Sequence, residues 1–264
     1  KFLFIVISLL LTNISAQKKV LDHNDFDIWN RIQNSVIDSK GDYIMYSIQT
    51  GEKDSHLKIK DTNSNLIFEH ERSERGRFTY NSEFAVFTIK AWKDSIKEMK
   101  REKVKKDKMT KDSIGIYNMS NGSLDKIANI KSYKLPEKWA GYIGYTYESV
   151  SKKDTTKKKI KKSSSKNGYP LVIHNLNTGE KDTIPYVTSY SFAKEAEILS
   201  YITTGIDDSI NAGVYVINLK KYDSKNIFQS HNKTKYFKLT VSDNGNNIAF
   251  IIDADSSKSY HRDN

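Results

Sequence analysis

The 264-residue sequence has no cysteine, only 3 prolines and only 12 glycines. Without cysteine there is no disulfide framework, no thiolate metal site and no cysteine nucleophile. Three prolines exclude collagen-like and proline-rich classes. Catalytic signatures are missing too. There is no Gly-x-Ser-x-Gly elbow of the α/β-hydrolase type and no phosphate-binding glycine-rich loop. The six histidines, His23, His56, His70, His174, His231 and His261, form no His-x-x-x-His or His-Glu-x-x-His pair. Asp253-Ala254-Asp255-Ser256-Ser257 echoes a calcium loop, but Lys258 stands where glycine is needed and no glutamate closes it. The residues therefore indicate no catalytic group, cofactor site or metal site.

Aromatic residues are plentiful: 3 Trp, 16 Tyr and 11 Phe, which argues for a packed fold rather than a disordered chain. Residues 1–16 read as a secretory signal peptide. Lys1 precedes the apolar run Phe2–Leu11, and Ser15-Ala16 supplies small residues before Gln17. That run is too short for a bilayer-spanning helix, which needs about 20 residues, and no other segment is apolar enough to span. The expected location is exported, periplasmic or extracellular.

A polar turn followed by an alternating aromatic or β-branched run occurs five times. Aligned at Tyr43, Phe84, Tyr142, Ile198 and Ile248, the runs are spaced 41, 58, 56 and 50 residues apart. Four are followed by a second strand and a turn, at Leu57–Asn63, Ile114–Gly122, Leu171–Gly179 and Val214–Leu219. Asn121-Gly122 and Thr178-Gly179 suit turns that need positive φ. A third short strand follows, as in Leu66–Phe68 and Asp182–Ile184. A β unit recurring every 40–55 residues or so is the signature of propeller blades. The expected fold is all-β: a partial β-propeller over 36–264, with four blades and the start of a fifth, after an N-terminal segment at 17–35. A ring left open would expose two edges, so the sequence reads as a fragment of a longer protein. His174, inside a strand, reads as a structural histidine.

The net charge of +11 is concentrated in two insertions. Residues 90–112 carry net +5 and residues 151–168 net +7, leaving the remainder near neutral. The first is expected to be helical, with Trp92, Ile96 and Met99 on one face. Asp94–Lys97, Glu98–Arg101, Glu102–Lys105 and Glu102–Lys106 are spaced for ion pairs. The second has a single apolar residue, Ile160, and reads as a solvated, disordered loop. With no aromatic in that tract and an export signal, nucleic acid is not the expected partner. Before the first blade, Phe26, Trp29 and Ile32 lie at i, i+3, i+6, and Asn24 or Asp25 is placed to cap a short helix.

Several of these segments together resemble the N-terminal part of secreted bacterial prolyl oligopeptidase-family serine peptidases. The matching residues are Leu21-x-His23 with Phe26-Asp27-x-Trp29, and Ser39-Lys40-Gly41-Asp42-Tyr43-Ile44-Met45-Tyr46. Lys111-Asp112-Ser113-Ile114-Gly115-Ile116 closes the first lysine-rich insertion, and Leu135-Pro136-Glu137-Lys138 follows. The resemblance spans nearly all of 17–252. It implies a propeller that gates peptide access to a C-terminal α/β-hydrolase domain with a Ser-Asp-His triad. No catalytic residue can be assigned in this chain, because no stretch of it matches that domain. The alternative expectation is a non-catalytic exported propeller that binds protein.

Overall fold

A computed structural model describes residues 21–148, 164, 167–205, 211–229 and 234–253. The expected signal peptide at 1–16 lies outside them, as does most of the second insertion.

The chain is built almost wholly of antiparallel strands. The first four, β1 (Asn30–Ile37), β2 (Tyr43–Thr50), β3 (His56–Asp61) and β4 (Leu66–Glu71), form one meander in chain order. A second four-stranded sheet comprises β5 (Ser73–Phe78), β6 (Phe84–Ile89), β7 (Ser113–Asn118) and β8 (Leu124–Ile127). Then come β9 (Ile130–Lys134), β10 (Tyr142–Tyr147), β11 (Tyr169–Asn175), the long β12 (Lys181–Phe192), β13 (Ile198–Thr203), β14 (Gly213–Asn218) and β15 (Asp223–Phe228). These seven form one sheet because β12 serves two blades. Its first part pairs with β11 and its second part with β13. A final pair, β16 (Lys235–Val241) and β17 (Ile248–Asp253), starts a fifth unit.

The five aligned runs are β2, β6, β10, β13 and β17, the second strand of each unit. The inner three, β6, β10 and β13, were legible because they are squeezed between neighbouring blades. Along β6, Ala85, Phe87 and Ile89 pack towards the first blade with Met45, Leu57 and Ile59. The alternate residues Phe84 and Val86 pack towards the third with Ile143 and Tyr145. Trp139, Leu171, Tyr190, Leu199 and Tyr201 join blades three and four. Ile202, Val214 and Tyr236 join the fourth to the fifth unit. Period-two alternation thus sends successive side chains into successive interfaces. Four-stranded meanders stacked face to face in this way are the blades of a β-propeller.

The turns repeat as well. At the end of the third strand of each blade an Asp or Asn carboxyl or amide oxygen accepts backbone N–H groups just beyond it. Asp61 accepts from Asn63, Asn118 from Ser120, Asn175 from Asn177 and Asn218 from Lys220, all at 2.9–3.1 Å. These are Asx turns, which explain the polar residue at each strand end. Gly122 and Gly179 follow with φ of 72° and 77°, as the turn sequences required.

Three readings need adjustment. The stretch before the first blade forms a 3-10 helix at His23–Ile28, not a longer helix that reaches Ile32. Ile32 belongs to β1, opposite Ile48, so β1 begins inside the stretch read as an N-terminal segment. Phe26 and Trp29 do meet, with ring centroids 5.1 Å apart. The first insertion forms helix α1 over Lys93–Arg101. Only the Asp94–Lys97 pair forms there, at 4.0 Å. Glu102 already lies past the helix end, where i+3 and i+4 spacing no longer brings side chains together. No residue of α1 is fully buried. It is held by Lys93, whose ammonium donates to the Glu52 carbonyl at 3.1 Å, and by the Arg72 guanidinium 4.4 Å over the Trp92 ring. Among the described residues, no helix is long and apolar enough to cross a membrane.

Candidate functional site

The first strand of each unit reads poorly as a strand in sequence. Asn30–Ile37 is NRIQNSVI and Ser73–Phe78 is SERGRF. These strands turn one side to an open cavity of about 820 Å³ lined by β1, β5, β9 and the second part of β12, with the facing ends of β6 and β7. This is the hub of the propeller, and its wall is polar because it is wet.

A bulge recurs in these strands. In β1, β5 and β16 two residues stand opposite one on the neighbouring strand. The first of each two is left-handed without being glycine: Asn34 (φ 51°), Arg75 (φ 55°) and Lys238 (φ 59°). Single extra residues, Lys131 and Thr188, interrupt β9 and β12 just after left-handed Asn129 (φ 60°) and Tyr186 (φ 57°). Such backbone costs on the order of 1 kcal/mol or more per residue and persists only where the surroundings enforce it. Bulges re-aim side chains, and here Asn34, Arg75 and Lys131 line the cavity. Gly76, between the two arginines of β5, is required by packing. A Cβ there would lie 2.3 Å from Met45 Sδ.

The wall is cationic. It contains Arg75, Arg77, Lys90, Lys131, Lys134 and Lys194 against only Asp112 and Glu137. Lys90 is paired with Asp112 at 2.5 Å and Lys194 with Glu137 at 3.7 Å. Arg75 reaches Glu74 at 3.6 Å. Arg77, Lys131 and Lys134 make no ion pair among the described residues. The Lys134 ammonium donates to the Tyr190 carbonyl at 2.6 Å and sits 4.9 Å from the Tyr190 ring centroid. Burial lowers its pKa from the ordinary lysine value. The Lys131 ammonium lies 3.8 Å over the Tyr169 ring. The Tyr133 hydroxyl donates to the Arg75 carbonyl at 2.8 Å, tying β9 to the bulge of β5. Burial pushes the Tyr133 phenol up to about 12, against the opposing pull of Arg77 and Arg75.

No protein-family model matches the sequence, and no curated protein matches it. Solved structures are similar in fold alone. A prolyl endopeptidase is 8% identical, with 80% of this chain and 31% of that one covered at a TM-score of 0.49. The β-propeller domain of the trilobed protease from Pyrococcus furiosus is 11% identical, with 81% and 61% covered at 0.45. A eukaryotic initiation factor is 10% identical, with 85% and 50% covered at 0.47. The chain thus spans between about a third and three-fifths of these proteins.

The remaining motif residues do not converge on this wall. His174 is buried in β11, and its Nδ1 has no hydrogen-bond partner among the described residues. Across the sheet it stands opposite Ile143 of β10 and Lys181 of β12. Asp253 ends β17 and pairs with Lys235 at 3.4 Å, while residues 254–258 lie outside the described residues. The cationic wall itself was missed in the sequence. Its charges come one or two at a time from different blades, and segment-by-segment counting cancels them against outward-facing acids.

Proposed function

We propose that this chain is the access propeller of an exported prolyl oligopeptidase-like serine peptidase, whose catalytic domain lies outside residues 1–264. The observation that carries this reading is the open hub cavity of about 820 Å³, walled by the first strands of successive blades. The resemblance of the Phe26–Trp29, Ser39–Tyr46 and Leu135–Lys138 segments supports the same family. Two apolar faces support a larger assembly. Ile32, Ile37 and Ile44 are exposed on the first blade, and Phe237 and Ile251 on the fifth unit. Each belongs to a sheet whose other face is already buried against a neighbouring blade, and further blades would cover them.

The test is to express the gene extended past Asn264. A Gly-x-Ser-x-Gly serine is expected downstream, and the longer protein should cleave a proline-containing chromogenic peptide. Replacing that serine by alanine should abolish turnover, while the 264-residue chain alone should show none. A stop codon after two or three more blades would instead establish the second reading, an exported propeller that binds protein without catalysis. The unpaired cations of the hub favour that alternative, since they serve binding without any hydrolytic group.

A further inference from the structure

We infer that the hub wall formed by Arg75, Arg77, Lys131 and Lys134 selects acidic stretches of an extended peptide. The peptide class rests on the access reading, whereas binding is measured without hydrolysis, so each fails by its own experiment.

Four observations converge. The wall has six cationic side chains and two carboxylates, and both carboxylates are already engaged by Lys90 and Lys194. Three cations are left with no ion-pair partner among the described residues. Unpaired cations gathered around one concave, partly desolvated space focus a positive potential that attracts anions. Next, the cations are positioned. The two arginines flank a glycine fixed by packing, Lys131 sits on a bulge, and Lys134 is held by a carbonyl and an aromatic ring. A guanidinium fork matches a carboxylate in two-point geometry, which favours Asp and Glu side chains or a C-terminal carboxylate. Third, the bulge that recurs in the first strands re-aims two of these cations, Arg75 and Lys131, and both line the cavity. Fourth, the hub lacks what a nucleic acid needs. Single strands are bound by exposed aromatic faces on which bases stack. Here Tyr133 is hydrogen-bonded into β5, and Phe192 is packed edge-on against Trp139 at 5.5 Å.

The experiment is fluorescence anisotropy with the full 264-residue chain and three labelled probes. These are a ten-residue Glu/Gly peptide, a Ser/Gly peptide of equal length, and a ten-nucleotide oligothymidine. Tighter binding of the acidic peptide than of the neutral one, weakened by 0.5 M salt, is expected. The double change Arg77→Glu with Lys131→Glu should weaken acidic-peptide binding at least tenfold. Lys100→Glu with Arg101→Glu, on exposed α1, should leave it within twofold. Both wall residues are solvent-exposed, so folding should survive, with circular dichroism as the check. Should the glutamate pair fail to fold, Arg77→Gln with Lys131→Gln is read instead, with a loss of at least threefold expected. Equal affinity for acidic and neutral peptides would overturn the inference. So would an unchanged affinity in the wall variant, which would place binding on the lysine-rich insertions. Tighter binding of oligothymidine than of the acidic peptide would overturn it in favour of a nucleic acid.

Discussion

Replacing Phe87 with alanine should destabilise the chain by about 3–5 kcal/mol, and adding Gly115→Ala should return part of that loss. Phe87 is fully buried on β6, at the interface of the first two blades. Its ring lies 5.7 Å from Phe68 and 5.6 Å from His70, centroid to centroid. Directly across the sheet it faces Gly115 on β7. A Cβ on that glycine would lie 2.5 Å from the Phe87 ring, so the ring occupies the space a side chain would need. Gly115→Ala alone should therefore overpack the site and cost about 1–3 kcal/mol. In the double variant the clash is gone and the new methyl enters part of the void. The two costs should then fall short of additivity by about 1–2 kcal/mol, as expected for residues that share one space. Urea unfolding of the four chains in the cycle measures this. Strict additivity, or a Phe87→Ala cost below about 1 kcal/mol, would show that the ring does not fill the interface as described.

The same pair shows why half of each blade was readable. Phe84–Ile89 is buried on both faces, so every position in the run is apolar or small, and its spacing to the next such run is visible. The third strands gain a second mark, the Asx residue at their end. The first strands have neither. One of their sides is wet, a bulge breaks their alternation, and SERGRF contains charge where a strand normally shows β-branched residues. The regular gap before each second strand was the only trace of them. The hub site was hidden for the same reason, since its residues belong to those strands. A sum over the segments outside the insertions comes close to neutral. The fold nevertheless sorts that neutral remainder, gathering cations at the hub with only Asp112 and Glu137 beside them.

Acidification should weaken the fold through His174. Burial, and then the Lys181 ammonium, push this imidazole down to about 4, against a weaker opposing pull from Asp125. Lys181 stands directly opposite on β12, and the Tyr145 ring lies edge-on at 6.3 Å. In the unfolded chain the same histidine takes a proton near 6.5. Above pH 6.5 it is neutral in both states and contributes nothing. Between pH 6.5 and about 4 the unfolded chain binds a proton that the folded chain refuses, so stability falls with pH. Below about 4 both states are protonated and the loss levels off. The full loss is about 2–3 kcal/mol. Asp38 acts lower in pH. Hydrogen bonds from Ser82, Tyr43 and Lys40 outweigh the effect of burial and hold its carboxyl below 3.8, so its stabilisation is lost only below that value. His70 is also lowered, chiefly by burial, and adds a loss of the same sign as the pH falls below about 6.5. Comparing the parent with His174→Leu isolates the His174 part, because His70 is common to both. Urea unfolding from pH 7.5 to 4.0 should show a shallower decline in the variant, the gap between the two curves shifting by about 2–3 kcal/mol across the window. Parallel curves would mean that His174 is protonated in the folded chain, and that the interface between β10, β11 and β12 admits water.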